Sequence, residues 1–350
     1  MKRHGNLFEQ ICSWDNLERA ARLSRRRKRY RLYTENFELR RETILRELRE
    51  ELLSGSWQPS GYRSFRIYDP KERIISAAPY PDRIVHHAVC NVIAPILERS
   101  FIDHSYSWRI GKGTGAARER CRRLVKRCRY ALKADVSKYF ASIDHEILKT
   151  KLRRHIKCCP TLEILDRIVD SWQTTEEPPA WFVGDDLLTP TARPRGLPIG
   201  SLTSQLFANL YLSRIDHLIQ EQIRPEGYAR YTDDLVLFSD SKKFLWDALA
   251  RLQMELEEER LKAHPTKCRV QACRDGVPFL GFRFFPERTR VLRENVMRFH
   301  KRVSHLRRTV NRDRREIAKV WPSMRGWFQF VREQSGGEGL VLAECRRHCF

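Results

Sequence analysis

The sequence predicts an α+β fold, a β-sheet with helices on one face, and three observations carry that reading. Strand-patterned and helix-patterned segments alternate from about residue 131 onward. An apolar run over 131–136 leads into a carboxylate, Asp135. Two further strand-like runs, Tyr228-Ala229-Arg230 and Leu235-Val236-Leu237-Phe238, bracket Asp233-Asp234 as a hairpin with its acidic pair at the tip. If these strands are neighbours, Asp135 and Asp233 meet.

Each element follows in turn. Asp15 to Leu53 is rich in Leu, Glu and Arg, has no proline and is closed by Gly55, which predicts one or two basic amphipathic helices in an N-terminal arm over 1–56. Tyr62 to Tyr68 alternates as a strand, and 81–99 is helical, with Pro81 in the first turn. Gly111-Lys112-Gly113-Thr114-Gly115 lacks the spacing of a phosphate loop and reads as a turn. There follow a helix over 144–155, a hairpin around Gly184-Asp185-Asp186, a helix over 201–222 and, after the acidic hairpin, a helix over 242–259. Strands around Val270 and over 279–284, a basic helix from Glu294 to Lys319 and a Trp-rich stretch from Trp321 to Phe330 complete the chain. There are no repeats and no low-complexity linker, so one compact unit is expected.

Composition narrows the partners. The 350 residues carry a net charge of +23, with basic runs at Arg25–Arg29, Arg118–Arg129, Arg307-Arg308 and Arg314-Arg315. Several such runs point to a polyanion tracked along its phosphates. A membrane surface fits less well, because no strongly apolar helix face accompanies the charge. The N-terminus has no apolar leader and no segment is long enough to span a bilayer, so a cytosolic protein is expected. Ten cysteines without a C-x-x-C pair argue against zinc modules and a disulfide framework. Cys345, His348 and Cys349 form the one compact ligand-like set, and it lacks a second half.

Adjacent aspartates at a turn repel one another, and a hard divalent cation with oxygen ligands relieves the repulsion. Asp135, Asp233 and Asp234 are therefore the candidate metal-ligating set, with magnesium the natural ion and manganese the alternative.

Asp135 followed by an aromatic pair, then Gly196-Leu197-Pro198-Ile199-Gly200-Ser201-Leu202-Thr203-Ser204-Gln205, then Tyr231-Thr232-Asp233-Asp234 resembles motifs A, B and C of reverse transcriptases, in the order a polymerase palm requires. The resemblance covers roughly residues 60–330. It implies a right-hand polymerase with fingers over 57–130, a ferredoxin-like palm over 131–285 and a helical thumb with a C-terminal tail over 286–350. The N-terminal arm would then face RNA. Two Mg2+ ions would be held by Asp135, Asp233, the Val136 carbonyl and Asp234, the last either completing the set or supporting it. Phe140 matches the sugar gate that selects deoxynucleotides, with Tyr139 the core member of the pair. Lys71 and Arg73 resemble the triphosphate-binding residues. Arg109, in Ser105-Tyr106-Ser107-Trp108-Arg109, would contact template or nucleotide. Lys267 stands where motif D carries a lysine that protonates pyrophosphate, and Phe279, Leu280 and Gly281 resemble the primer grip.

Motif B departs from the bacterial group II intron pattern. Where relatives have Gln-Gly, three residues, then Ser-Pro, this chain has Ile199-Gly200, three residues, then Ser204-Gln205, as is typical of diversity-generating retroelements. That resemblance implies a bacterial or phage-encoded enzyme that makes adenine-mutagenised cDNA from a template-repeat RNA for mutagenic retrohoming, using dNTPs and a small basic accessory protein. Thr232 stands where Ala, Val or Met is usual, and a strand should accept it. The rival readings are a group II intron, retron or phage-defence reverse transcriptase and, outside enzymes, an RNA-binding chaperone.

Overall fold

The computed structural model describes residues 3–310, apart from 27, 29–30, 69–71, 177–180 and 187, together with 325–326. The Trp-rich stretch, the set Cys345, His348 and Cys349, the run Arg314-Arg315, Lys71 and the end of the basic helix beyond Val310 lie outside the described residues.

Helices Trp14–Arg25, Leu32–Leu39 and Arg41–Leu53 occupy the N-terminal segment. The first is capped by Ser13, whose hydroxyl accepts from the Asn16 N–H at 3.4 Å. Leu17, Ala20, Ala21, Leu45, Leu48 and Leu52 recur at helical spacing and are all buried. They pack with Ile84, Val85, Ala88 and Ile93 of helix Tyr80–Glu98, in the same core as the helices of the central sheet. The expected arm is thus integrated into the domain: the charge stands on its outer face while its apolar stripe is sequestered. Strands β1 (Arg63–Ile67) and β2 (Arg73–Ala77) form an antiparallel hairpin beyond it.

Four antiparallel strands, β3 (Tyr130–Asp135), β4 (Gly227–Tyr231), β5 (Asp234–Ser239) and β6 (Arg269–Ala272), lie in the order β4-β5-β3-β6. Helices cover both faces, which corrects the expectation of one covered face. Leu132, Ala134, Leu235 and Leu237 point into the core shared with helices Leu202–Tyr211 and Lys242–Glu258. Ala131, Val236 and Phe238 point the other way, onto Cys121, Leu124 and Val125 of helix Thr114–Arg127. Burial on both sides is why β5 reads as an unbroken apolar run and not as an alternating one. At Gly227 a Cβ would come within 2.3 Å of Leu124, so glycine is what lets β4 approach that helix.

A second antiparallel sheet, β7 (Val277–Phe279), β8 (Phe282–Phe284) and β9 (Thr289–Val291), buries its phenylalanines in the same core as helix Thr114–Arg127. Helix Arg293–Val310 follows. Three further expectations change. The segment 201–222 is divided into Leu202–Tyr211, Ser213–His217 and a π-helical turn, Leu218–Ile223. The described residues around Gly184 form a turn and no strand pair: Asp185 accepts the Phe182 N–H at 2.8 Å and pairs with Arg193. Thr232 lies in the β4–β5 turn with φ +59°, not in a strand.

Candidate active site

Antiparallel pairing of β3 with β5 sets Asp135 directly opposite Asp234, so the two carboxylates lie at one end of the sheet, and Asp233 sits in the turn beside them. The Val136 N–H reaches the Asp233 carbonyl at 3.4 Å. The segment after helix Lys242–Glu258 straps the same corner: the Ser137 N–H donates to the Lys262 carbonyl at 2.8 Å, and the His264 N–H donates to the Asp135 carbonyl at 2.7 Å. Main-chain contacts therefore fix the acidic end before any side chain acts.

Two lysines stand on these carboxylates. Lys267 Nζ lies 2.8 Å from Asp135 Oδ1. Lys133 Nζ lies 3.1 Å from Asp234 Oδ2 and also donates to the Pro278 carbonyl at 3.1 Å, joining the acidic corner to β7. Burial raises the Asp233 carboxyl above its usual range and the neighbouring Asp135 charge raises it further, while Lys267 and Arg73 pull the other way. Burial likewise lifts Asp234 to about 6, against the opposing pull of Lys133. A charge-crowded, desolvated carboxylate group of this kind marks a candidate functional site, and a divalent cation would relieve its repulsion.

The residues fit a magnesium site of restricted form. Among the described residues no three acidic, His or Cys side chains gather so as to hold a metal ion. Asp135, Asp233 and Asp234 act on one another electrostatically, and a lysine engages each outer member, Lys267 on Asp135 and Lys133 on Asp234. Mg2+ commonly takes one or two carboxylates and completes its shell with water and substrate phosphates, so it does not need a closed cage of protein ligands. Metal ions bound here would help to activate a hydroxyl nucleophile and neutralise charge on a leaving pyrophosphate.

Around this centre, Tyr139 is buried and its hydroxyl donates to the Ala208 carbonyl at 2.5 Å. Phe140 is half-buried, its ring edge-on to Tyr139 at 5.7 Å. Arg73 is exposed on β2, and its charge is felt at Asp233. The Ile199 carbonyl accepts the Ser76 N–H at 3.0 Å, tying motif B to β2. Gly200 has φ +113°, and a Cβ there would meet Ile75 Cγ2 at 3.0 Å. Gln205 is half-buried and lines a cavity of about 350 Å³ with Gly200, Arg83, His87 and Trp108.

Other candidates sit differently. Arg109 braces its own loop, Nη1 donating to the carbonyls of Ile102 at 2.6 Å and Ser105 at 3.0 Å. Phe279 is a core residue, so its ring is not presented at the surface. The neighbouring Leu280 and Gly281 take positive φ, +45° and +86°, and their carbonyls are held by Arg118 and Asn295. Any primer contact there runs through the backbone of this turn. Sequence reasoning missed Lys133, although its place two residues before Asp135 puts both on one strand face. It also missed Arg230, an arginine inside an apolar strand that has to find a buried partner.

Comparison with known proteins agrees with this geometry. The family described as Reverse transcriptase (RNA-dependent DNA polymerase) matches residues 68–284, which hold all three aspartates. The chain is 27% identical over 288 residues to Protein YkfC of Escherichia coli (strain K12), covering 70% of this chain and 72% of that protein. It is 21% identical over 249 residues to Group II intron-encoded protein LtrA of Lactococcus lactis subsp. cremoris, covering 66% of this chain and 39% of LtrA. It is 23% identical over 181 residues to the Putative COX1/OXI3 intron 1 protein of Saccharomyces cerevisiae, covering 51% of this chain and 20% of that protein. The chain spans well under two thirds of these last two relatives. No helix among the described residues is long and apolar enough to cross a membrane. With the family match spanning the acidic corner, Gly196–Gln205 and the Leu280-Gly281 turn, the chain belongs to the reverse transcriptase (RNA-dependent DNA polymerase) family.

Proposed function

We propose that this chain is the reverse transcriptase of a diversity-generating retroelement, copying a template-repeat RNA into adenine-mutagenised cDNA for mutagenic retrohoming. The observation that carries the reading is motif B. Ile199 replaces a hydrogen-bonding glutamine, and Gln205 replaces a proline at the wall of the cavity beside Gly200. A typical hydrogen bond contributes about 0.5–1.5 kcal/mol, so losing one at the templating pair and gaining another nearby relaxes base selection by roughly tenfold without stopping synthesis.

In this reading the 3′ hydroxyl of the growing cDNA attacks the α-phosphate of a dNTP at the Asp135–Asp233 corner. Asp135 and Asp233, with the Val136 carbonyl, would hold Mg2+, or Mn2+ in its place, and Asp234, paired with Lys133, would support them. Arg73 and Lys71 bind the triphosphate, and Arg73 is close enough for its charge to act on Asp233. Lys267, now on Asp135, transfers its proton to the departing pyrophosphate as the charge there grows. Phe140 blocks a ribose 2′ hydroxyl, and the Leu280-Gly281 turn seats the primer backbone. The partners are template RNA, cDNA and a small basic accessory protein.

The test is to co-express the chain with a candidate template RNA and the neighbouring accessory protein, sequence the cDNA and tabulate errors by template base against Asp233→Ala. Errors clustered at adenines and absent from the control support the proposal. Evenly faithful cDNA favours a second reading, a group II intron-like reverse transcriptase, to which the match with LtrA points.

A further inference from the structure

Arg230 has no exposed surface, and each of its five N–H groups finds an acceptor. Nε donates to Asp216 Oδ1 at 2.7 Å, and Nη2 donates to Asp216 Oδ2 at 2.6 Å and to Ser105 Oγ at 3.1 Å. Nη1 donates to Asn209 Oδ1 at 3.3 Å and to the Thr232 carbonyl at 3.0 Å. One guanidinium thus joins helix Ser213–His217, helix Leu202–Tyr211, the loop around Ser105 and the turn that carries Asp233. Tyr228 closes the network by donating to Asp216 Oδ1 at 2.7 Å.

The turn needs such an anchor. Thr232 is β-branched and stands at φ +59°, a conformation that costs about 1–3 kcal/mol and persists only where its surroundings impose it. Its carbonyl is held by Arg230, and its hydroxyl lies 2.9 Å from Ser107 Oγ. The Ser107 carbonyl is itself held by Asn209 Nδ2 at 2.6 Å. Stability alone does not call for this arrangement, because a buried ion pair is often replaced by apolar residues at no loss. Apolar residues cannot, however, hold a carbonyl.

The geometry points to Arg230 as a positioning residue that, with Asp216 as its counter-ion, holds the Thr232 turn and so aims the Asp233 carboxylate. This rests on the reading of Asp233 as a metal-holding residue. The network also couples the Ser105–Ser107 loop of the fingers to the catalytic turn.

The experiment compares the full-length wild type with Asp216→Leu/Arg230→Met, which removes both charges together, and with Arg230→Lys, which keeps the charge but not the fork. Three quantities are read: the urea unfolding midpoint, Mn2+ affinity of the nucleic-acid-free protein by electron paramagnetic resonance, and kcat and KM for dNTP in primer extension. The expected result is a midpoint near wild type in at least one variant, with Mn2+ affinity and kcat lowered by roughly tenfold to a hundredfold and KM little changed, as suits a misplaced group. A folded variant with Mn2+ affinity and kcat within about threefold of wild type overturns the proposal. Unfolding of both variants also overturns it, since the pair would then be needed for the fold itself. Asp233→Ala is the separate control: wild-type Mn2+ binding in that variant removes the reading of Asp233 and leaves the packing role of Arg230 untouched.

Discussion

Lys133 Nζ sits 3.1 Å from both carboxylate oxygens of Asp234, on the strand next to the one that aspartate begins, and the same ammonium reaches the Pro278 carbonyl. One cation therefore balances charge at the acidic corner and ties it to β7, the strand that leads into the Leu280-Gly281 turn. Lys133→Met leaves Asp234 buried without its partner and frees the Pro278 carbonyl. Urea unfolding should show a loss of about 1–3 kcal/mol, and an unchanged midpoint would contradict this account of the pair.

Asp234 also makes stability depend on pH. Its folded value, about 6, lies above its ordinary value, 3.8, so the native state binds this proton more tightly than the unfolded chain does. The sign follows: the carboxyl does not oppose folding below about pH 4, opposes it increasingly up to about pH 6 and opposes it fully above. Relative to wild type, the metal-free Asp234→Asn variant should gain stability between pH 4 and pH 7. Urea titrations at the two values check this, and a constant difference would contradict it.

Lys267 holds Asp135 at 2.8 Å, and its proton is assigned to pyrophosphate. Lys267→Met should lower kcat by about 10²-fold while leaving template binding intact, as loss of a general acid does. Single-nucleotide extension under pre-steady-state conditions measures it, and a wild-type rate would contradict the assignment.

Phe140 is half-buried and held edge-on by Tyr139, so it can be shortened without opening the core. Phe140→Val should reduce discrimination between dNTPs and rNTPs by about tenfold or more if, as proposed, the ring is what excludes a 2′ hydroxyl. Competitive extension with both nucleotide types reads the ratio, and unchanged selectivity would assign the ring to packing alone.

Gly200 meets β2 at φ +113° with Ile75 in the way of any Cβ. Gly200→Ala should cost about 1–3 kcal/mol in stability or an equivalent loss in extension rate, because backbone strain and the contact add. Both are measurable on one preparation, and wild-type values for both would show that motif B tolerates movement against the hairpin.

The legible parts of this molecule are those written in local pattern. β3 and β5 are apolar runs that end or begin in carboxylates, so Asp135, Asp233 and Asp234 stood out before their strands were paired. Helix Tyr80–Glu98 announced itself through Pro81 and a regular apolar stripe. What the sequence did not show depends on partners distant along the chain. The N-terminal helices read as a basic arm because charge dominates their composition, while their burial against helix Tyr80–Glu98 is set by tertiary packing. Arg230 drew no reading beyond its place in a strand-like run, since its partners Asp216, Ser105 and Asn209 come from three other elements. Thr232 was expected to lie in a strand, but the two-residue turn between Tyr231 and Asp234 forces it into positive φ.

The most direct test of the central claim, RNA-templated DNA synthesis at the Asp135–Asp233 corner, is primer extension on an RNA template with dNTPs and Mg2+. Wild type and Asp233→Ala should be compared at equal template occupancy. The account predicts template-dependent extension by wild type and a loss of at least about 10³-fold in the variant, as expected when a metal-holding carboxylate is removed. Extension that survives in Asp233→Ala, or a wild type that binds the primed template but adds no nucleotide, would contradict it.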